Sequence, residues 1–456
     1  MSSYHTLNPA TGEQLATYDT LTDSEVERLI GQAVQTSRTW RQVPLDERSQ
    51  ALTRIADLYE ERAEELAQTI TREMGKPITA ARGEIKTVVG IYRYYAEQGP
   101  GFLKDEKIDV QGSGSAYIRR EAIGVLLGIM PWNFPHYQVA RFAAPNLLLG
   151  NVVTIKHAAN CGASAQAIHQ LMADVGLPEG AYTNLFATHD QVESLIADDR
   201  IQGVSLTGSD GAGAKIGALA GKHVKKAVLE LGGSDPFIVL EDADLDEATT
   251  GAVMGRLVNT GQTCTSSKRF IVVDSVYDAF VEQFVAKMSA VQPADPTLED
   301  TLVGPLSSAR ARDELHELVE DAVQNGATVL TGGAPVDGPG SFYQPTILSE
   351  VTEKARAYRE ELFGPVGVVY RVPDEEAAIR LANDSPYGLS SSVYSTDIER
   401  AQAVGAQLET GMVWVNSTSK SSAELPFGGV KRSGFGRELG QLGIEEFANR
   451  KLIRIP

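Results

Sequence analysis

The chain has 456 residues, of which 42% are hydrophobic and 22% are charged, so it can bury an ordinary core and does not have the composition of a disordered protein. Its 60 acidic and 41 basic residues give a net charge of −19, which argues against nucleic acid or an anionic membrane as a partner. The longest apolar run, residues 122–130, is far shorter than the roughly 20 residues that a membrane span needs.

The first residues do not have the pattern of a signal peptide. The two cysteines, Cys161 and Cys264, provide neither a disulfide framework nor a zinc-ligand spacing. We therefore expect a protein of the reducing cytoplasm that holds no metal.

The first ninety residues are predicted to be helical. Thr22 and Glu25 form a capping box ahead of an amphipathic stripe over residues 26–34. A second helix is predicted from about residue 45 to residue 74, with Gly75 as its stop signal.

From residue 125 onward, short apolar strands alternate with helical segments. Strands are predicted at 125–130, 152–155, 182–186, 203–206, 227–231, 237–240 and 270–273, and helices at 163–175, 191–197, 276–290 and 309–325. This alternation predicts parallel sheets with helices on both faces. Residues 332–340 are predicted to form an exposed loop, and residues 451–455 a strand able to pair with another subunit.

Cys264 is the candidate nucleophile. Its neighbours in NTGQTCTS (259–266) are small, polar or glycine, whereas a structural cysteine is usually surrounded by apolar residues. A core role is the more frequent one for a free cysteine, and the alternative is a thiolate on a loop whose backbone N–H groups can approach a substrate oxygen. Cys161 lacks such a setting and is assigned a structural role.

Glu230 and Asn133 are candidates for the groups that assist it. Glu230 lies inside the apolar segment AVLELGG (227–233), where burial would raise the pKa of its carboxyl group toward that of a general base, unless it lies on the solvated face of an edge strand. Asn133 is held between two prolines in PWNFP (131–135), where its side chain can stabilise an oxyanion, although a turn asparagine is the commoner case.

A phosphate site is predicted in LTGSDGAG (206–213), between a strand and a helix, because the N–H groups at a helix N-terminus favour a pyrophosphate. The spacing is not the usual dinucleotide fingerprint. Lys156 lies at the carboxyl end of a predicted strand, where open α/β sheets bind ligands, although a lysine there is more often only a solvated charge.

Taken together, these segments resemble the aldehyde dehydrogenase superfamily over nearly the whole chain. The similarity is carried by PWNFP (131–135), LELGGSDPF (229–237), GQTC (261–264), EELFGP (360–365) and PFGGVKRSGFGRE (426–438). Within that superfamily the chain resembles the shorter bacterial succinate-semialdehyde dehydrogenases, through IKHA (155–158), GGSDPFIVL (232–240) and GRELGQLGIEEFAN (436–449).

The resemblance implies an α/β fold with two doubly wound parallel-sheet domains and a small β oligomerisation element. It assigns residues 1–100 and 123–230 to a nucleotide-binding domain, residues 231–430 to a catalytic domain, and residues 101–122 and 431–456 to the oligomerisation element. Members of the family are dimers or tetramers, so a homodimer or homotetramer is expected here.

The resemblance also implies the reaction, which is NAD(P)-dependent oxidation of succinate semialdehyde to succinate. Cys264 would attack the aldehyde to give a thiohemiacetal and then a thioester, Asn133 would hold the oxyanion, and Glu230 would activate the hydrolytic water. The alternatives are another small aldehyde or semialdehyde as substrate, and a catalytically silent structural member of the family.

Further residues are assigned by the same resemblance. Those expected to contact the cofactor are Trp132, Asn133, Lys156, His157, Ala158, Ala159, Gly208, Ser209, Leu231 and Glu361. Those expected to contact the substrate are Arg141, Ser421, Ser422 and Phe427.

Three positions depart from the family pattern. Ala159 stands where strictly NAD-dependent relatives often carry a glutamate, so NADP is slightly favoured over NAD. Val258 replaces an arginine that many succinate-semialdehyde dehydrogenases use to bind the substrate carboxylate, which leaves Arg141 for that role. Ser266 replaces the second cysteine of relatives that have a redox switch, so no disulfide is expected with Cys264.

Overall fold

A computed structural model describes residues 4–456 of the chain, which begins with a strand hairpin and a layer of helices. Its first elements are β1 (Tyr4–Leu7), β2 (Gln14–Tyr18), α1 (Asp23–Trp40), α2 (Leu45–Glu61), α3 (Ala63–Met74) and α4 (Ile78–Phe102). The capping box is confirmed, because the backbone N–H of Thr22 donates to the Glu25 carboxylate at 2.7 Å and the N–H of Glu25 donates to the Thr22 hydroxyl at 3.3 Å.

Two predictions for this region were wrong. The hairpin β1–β2 interrupts the expected run of helices. Its strands are short, and β1 buries Thr6 while it exposes Leu7, so no clear apolar alternation is visible in the sequence. The single helix expected over residues 45–74 is two helices, since Arg62 (φ −97°, ψ 14°) leaves the helical conformation between α2 and α3.

The next part of the chain contains the alternating strands and helices predicted from residue 125. Its elements are β3 (Glu106–Ile108), β4 (Ser115–Ala122), β5 (Val125–Met130), α5 (Tyr137–Leu149), β6 (Val152–His157), α6 (Gly162–Asp174), β7 (Tyr182–Asn184), α7 (His189–Ala197), β8 (Ile201–Thr207), α8 (Asp210–Lys222) and β9 (Lys226–Glu230). Strands β5 to β9 are parallel and form a sheet of order β9-β8-β5-β6-β7.

A second series of strands and helices follows. Its elements are β10 (Asp235–Val239), α9 (Leu245–Leu257), β11 (Ser267–Val273), α10 (Asp274–Ser289), α11 (Ala309–Gln324), β12 (Thr328–Thr331), β13 (Thr346–Ser349), β14 (Val366–Val372), α12 (Glu375–Asn383), β15 (Tyr387–Gly388), β16 (Ser390–Tyr394), α13 (Ile398–Gly405) and β17 (Met412–Val415). Strands β12-β13-β14-β11-β10-β16-β17 form a seven-stranded sheet that is parallel apart from β12.

The chain ends with β18 (Val430–Lys431), β19 (Gly434–Phe435), α14 (Gly440–Glu446) and β20 (Ala448–Ile455). β19 adds an antiparallel sixth strand beside β9, although residues 434–435 fall within the segment assigned to the oligomerisation element. β20 pairs along its whole length with β4 of the same chain in a three-stranded antiparallel sheet of order β20-β4-β3.

The apolar core is divided in the same way as the strands. The largest cluster of buried side chains joins the N-terminal helices to the six-stranded sheet, and separate clusters cover the seven-stranded sheet. The expected fold class, with two doubly wound parallel-sheet units and a small β element, is confirmed. Within residues 4–456, no helix is both long and apolar enough to cross a bilayer.

Candidate active site

A cleft of about 780 Å³ lies between the two large sheets. Its lining includes the chain segments that come directly after β5, β8 and β9 and those that come before β11, β14 and β16. β5 and β8 are adjacent strands at which the strand order reverses, and the crevice at such a reversal is where open α/β sheets bind ligands. The predicted residues that line the cleft are Trp132, Asn133, Gly208, Ser209, Glu230, Leu231, Cys264 and Glu361.

The segment 258–266, which we call the cysteine loop, carries Cys264 at the edge of this cleft. It begins with a tight turn in which Asn259 and Thr260 have positive φ values of 51° and 58°, a conformation that costs about 1–3 kcal/mol for each such residue. The Gly304 N–H donates to the Thr260 hydroxyl at 3.0 Å, and the Ser307 N–H donates to the Gln262 side chain at 2.9 Å. Neighbouring backbone therefore holds the strained turn in place.

The segment 131–136, which we call the asparagine loop, is joined directly to the cysteine loop. The Asn133 side-chain amide donates to the Gln262 carbonyl at 3.0 Å, and in return the Asn259 side-chain amide donates to the Asn133 carbonyl at 3.0 Å. Because an amide group has two N–H donors, one donor of Asn133 stays available. The structure thus brings the predicted oxyanion donor and the predicted nucleophile together.

The sulfur of Cys264 is half-buried and faces the cleft. Burial raises the pKa of its thiol to about 12, while the positive charges of Arg141 and Lys268 act in the opposite direction. The expected thiolate is therefore not the resting form at neutral pH in the unliganded chain, and a base must take the proton during reaction. Cys161, in contrast, is fully buried, as its structural assignment requires.

Glu230 ends β9 and is only 2% exposed. β9 is an internal strand, so the alternative of a solvated edge position is excluded. Neither carboxylate oxygen has a hydrogen-bond partner within residues 4–456. Burial, and next to it the nearby Glu438 carboxylate, hold the pKa of Glu230 well above its usual range. A base with a raised pKa is thus present at the cleft, as predicted.

Among the helices that follow strands of the six-stranded sheet, α6 and α8 differ in whether the N-terminus lines the cleft. At α6 the Glu73 carboxylate accepts from the N–H groups of Ala163 at 2.6 Å and Ser164 at 2.9 Å. At α8 the Ser209 hydroxyl accepts from the N–H of Ala212 at 3.3 Å, and residues 207–210 line the cleft. The predicted phosphate segment is therefore placed where an anion can reach it.

The other predicted cofactor residues are not among those that line this cavity. Lys156 is the penultimate residue of β6, where burial lowers the pKa of its ammonium group. His157 is fully buried, and its ring nitrogens have no partner within residues 4–456; burial lowers its pKa to about 3. Ala158 is half-buried and Ala159 is exposed.

The predicted substrate residues lie outside the walls of this cavity. Arg141 is 1% exposed and forms an ion pair with Glu438, while its guanidinium stacks 4.2 Å from the centre of the Phe427 ring. The Ser421 hydroxyl contacts the hydroxyl of Tyr137, which lies 3.4 Å from an Arg141 nitrogen. Ser422 is half-buried in the same segment.

Two charged residues of the site were missed from the sequence. Glu438 is the buried counter-ion of Arg141, and Lys268 is a buried lysine directly behind the cysteine loop. The signal that identified Glu230, a charge within an apolar strand, is also present for Lys268 in SKRFIVV (267–273) and could have identified it.

A half-buried cysteine, a buried carboxylate and a helix N-terminus thus line one cleft. A sequence model of the Aldehyde dehydrogenase family matches residues 1–453, and the chain belongs to that family. Within residues 4–456, no group of three or more histidine, cysteine, aspartate or glutamate side chains is arranged to hold a metal ion.

Individual relatives give a finer comparison. The chain is 53% identical to succinate-semialdehyde dehydrogenase [NADP(+)] of Deinococcus radiodurans over 99% of this chain and 94% of that protein. It is 46% identical to succinate semialdehyde dehydrogenase [NAD(P)+] Sad of Escherichia coli over 98% of this chain and 96% of that protein. The structure matches succinic semialdehyde dehydrogenase of Streptococcus pyogenes in complex with NADP+, with a TM-score of 0.97, 43% identity, and coverage of 99% and 100% of the two chains.

Proposed function

We propose that this chain oxidises succinate semialdehyde to succinate with NADP or NAD as hydride acceptor. The observation that carries the proposal is the cleft in which Cys264, the Asn133 amide and the Glu230 carboxylate meet beside an open helix N-terminus. The curated relatives named above share this activity by name and nearly the full length of the chain.

The residues present fit a nicotinamide dinucleotide. The first turn of α8 offers N–H groups to a pyrophosphate, the end of β6 offers Lys156, and Glu361 offers a carboxylate to ribose hydroxyls. Ala159 introduces no negative charge near Lys156, which supports a slight preference for NADP. When bound, the nicotinamide supplies the acceptor for the hydride of the substrate.

The residues of the chain perform the remaining chemistry. The Glu230 carboxylate takes the proton of the Cys264 thiol as the sulfur attacks the aldehyde carbon, and it releases this proton to solvent before hydrolysis. The oxyanion of the thiohemiacetal accepts hydrogen bonds from the Asn133 side chain and the Cys264 N–H. After oxidation the acyl group stays on the sulfur as a thioester. Glu230 then takes a proton from a water molecule, which attacks the thioester and releases the acid.

The substrate carboxylate is assigned to Arg141, with Ser421 or Ser422 as further donors. In the unliganded chain, however, Glu438 already neutralises the Arg141 guanidinium, which is buried. This pairing favours a second candidate, another small aldehyde that carries no carboxylate. The two candidates share the catalytic residues and differ only in what lies at the far end of the substrate.

We further propose which segments of the chain carry out each role and how the chain assembles. The unit of residues 1–100 and 123–230 binds the nucleotide, the unit of residues 231–430 carries the nucleophile, and a cytoplasmic homodimer or homotetramer forms through residues 101–122 and 431–456. The outer edge of β20 supports the assembly, because its backbone groups face away from β4 and Leu452 is 62% exposed.

A panel of aldehydes assayed with both cofactors tests the proposal. Succinate semialdehyde should give equal amounts of NADPH and succinate, and Cys264→Ala should lose at least about 10⁴-fold in kcat because the covalent route is removed. Turnover by that variant at the wild-type rate would reject the mechanism. A higher kcat/KM for an uncarboxylated aldehyde of equal length would favour the second candidate, and no oxidation of any aldehyde would favour a silent member.

A further inference from the structure

Lys268 is a buried lysine that the mechanism above does not use. It is the second residue of β11, a strand in which every residue is buried, and its side chain is 1% exposed. An ammonium group in such a place is unfavourable unless it has several polar partners, so the contacts that it makes indicate why the strand contains it.

Three of these contacts are with the cysteine loop. The Lys268 ammonium donates to the carbonyl oxygen of Cys264 at 2.7 Å, to that of Thr263 at 3.2 Å and to that of Ser266 at 3.3 Å. The carbonyl of the nucleophile itself is thus the nearest of the three acceptors. One side chain fixes the backbone on both sides of the reactive sulfur.

The fourth contact joins the loop to the cofactor side of the cleft. The Lys268 ammonium lies 2.9 Å from a carboxylate oxygen of Glu361, which also accepts from the Gly233 N–H at 3.2 Å. Glu361 lines the cleft and is partly exposed, so its carboxylate faces both the buried ammonium and the space assigned to the cofactor.

We propose that Lys268 is a positioning residue for Cys264. Its ammonium group holds the cysteine loop and, through Glu361, makes the reactivity of the Cys264 thiol depend on whether the cleft is occupied. The link rests on the proposed function, because the dinucleotide is the ligand assigned to Glu361. Holding the loop carbonyls does not depend on which ligand binds.

The charges around the sulfur agree with this role. Lys268 and Arg141 act to lower the pKa of the Cys264 thiol, whereas burial, Glu361 and Asp235 act to raise it. Arg269 and Arg256 are the other buried cations of the cluster; Arg269 lies within the field of Asp235, and Arg256 donates to the carbonyl of Gly261. Without the Lys268 charge, the negative charges of Glu361 and Asp235 would therefore act on the sulfur with less positive charge to offset them.

The rate at which iodoacetamide alkylates Cys264 tests this role, and the measurement does not require turnover. The full chain is alkylated across a pH series with and without saturating NADP+, and peptide mass spectrometry separates Cys264 from Cys161. The variants are Lys268→Met, Lys268→Arg and Glu361→Gln. Lys287→Met is the matched control, because Lys287 also donates to a backbone carbonyl, that of Asp246 at 3.0 Å, but lies away from the cleft.

In Lys268→Met, alkylation of Cys264 should slow by about tenfold at each pH below the thiol pKa, since the loss of an opposite charge nearby typically raises a thiol pKa by one unit or more. Lys268→Arg should restore the rate to within about threefold. The ratio of rates with and without NADP+ should move toward one in both Lys268→Met and Glu361→Gln. The control should resemble the wild type.

The proposal is overturned if Lys268→Met keeps the wild-type rate of Cys264 alkylation across the pH series and the wild-type response to NADP+, even when its kcat and thermal stability fall. If Lys268→Met does not fold, an unchanged NADP+ response in Glu361→Gln overturns the link. A wild type that responds to NADP+ but forms no NADPH from any aldehyde contradicts the proposed function while supporting the positioning role, so the two failures can be distinguished.

Discussion

The two loops that carry the reacting groups are both held from behind by buried charges, but the charges have opposite sign. Behind the cysteine loop, the Lys268 ammonium takes three carbonyl oxygens. Behind the asparagine loop, the Glu84 carboxylate accepts from the N–H groups of His136 at 2.9 Å and Tyr137 at 3.0 Å.

The difference follows from what each loop leads into. The asparagine loop ends at the N-terminus of α5, where free N–H groups and the helix dipole favour an anion. The cysteine loop turns back on itself before β11 and directs its carbonyl groups at the start of that strand, which favours a cation. Each loop is thus held by a charge that complements the backbone groups it exposes, Lys268 of β11 for the cysteine loop and Glu84 of α4 for the asparagine loop.

Glu84 has a cation of its own. Lys76 forms a fully buried ion pair with it and lies 3.6 Å above the Phe134 ring, within the asparagine loop. The comparison therefore predicts that Asn133 depends on the pair Lys76–Glu84 in the way that Cys264 depends on Lys268.

Among the variants that test this comparison of the two loops, the largest effect is expected from Asn133→Ala, which removes the oxyanion donor and the bond to the cysteine loop together. kcat should fall by about 10²–10³-fold, with a smaller change in KM, because the lost interaction is strongest in the transition state. Steady-state kinetics measure this, with Asn325→Ala, a helix-end asparagine remote from the cleft, as control. An unchanged kcat would show that Asn133 does not stabilise the oxyanion.

Next in size is Glu84→Gln. The variant leaves Lys76 buried without its counter-charge, and breaking such a pair costs about 3–5 kcal/mol of stability. Denaturant unfolding should show that loss. In variants that remain folded, kcat should fall by about 10–100-fold, because the asparagine loop loses its anchor. A folded variant with full activity would mean that the loop needs no such support.

Arg141→Leu tests the substrate end of the same region, since α5 continues from the asparagine loop. If the guanidinium binds the substrate carboxylate, kcat/KM for succinate semialdehyde should fall by about 30-fold relative to an uncarboxylated aldehyde of equal length, which corresponds to about 2 kcal/mol. The ratio of the kcat/KM values for the two substrates cancels any general loss of activity caused by breaking the Arg141–Glu438 pair, because such a loss affects both substrates equally. Equal losses for both would make Arg141 a structural partner of Glu438 alone.

The smallest effect is the slope of the pH profile. Because burial and Glu438 raise the pKa of Glu230, its basic form is scarce at low pH and increases as the pH rises. Thioester hydrolysis should therefore fall by about tenfold for each pH unit below that pKa. Single-turnover release of the acid measures this, and Glu230→Gln should lose the slope. A wild-type profile that shows no fall down to the ordinary pKa of a glutamate would exclude Glu230 as the base.

Much of the fold follows from the sequence because its periodic segments are long. The strands predicted between residues 125 and 273 are buried runs bounded by turn residues, and their positions agree with the structure to within a few residues, whereas β12, β13, β14, β16 and β17 were not predicted. The hairpin β1–β2 and the break at Arg62 could not be predicted in this way, since each involves distant residues: the Tyr4 hydroxyl donates to the Ala187 carbonyl at 2.8 Å, and Arg62 pairs with Asp174 at 2.7 Å.

For the candidate site, the sequence indicates which residues are reactive but not what surrounds them. Cys264, Asn133 and Glu230 stand out by unusual neighbours, and the structure places all three at one cleft. The raised pKa of the Cys264 thiol and the pairing of Arg141 with Glu438 depend on contacts between residues far apart in the chain. No local pattern contains that information.

The diglycine after Glu230 sets how far the cleft can be altered by mutation. A Cβ at Gly233 would lie 2.7 Å from the Cys264 carbonyl oxygen, and one at Gly232 would contact the end of the Glu361 side chain, whereas at Gly221 it would meet nothing within 4 Å. A saturation library selected for new aldehydes should therefore recover alanine at 221 and only glycine at 233, where the obstructing atom belongs to the backbone. Changes of specificity would have to arise elsewhere along the substrate path, because a side chain at 233 would displace the cysteine loop.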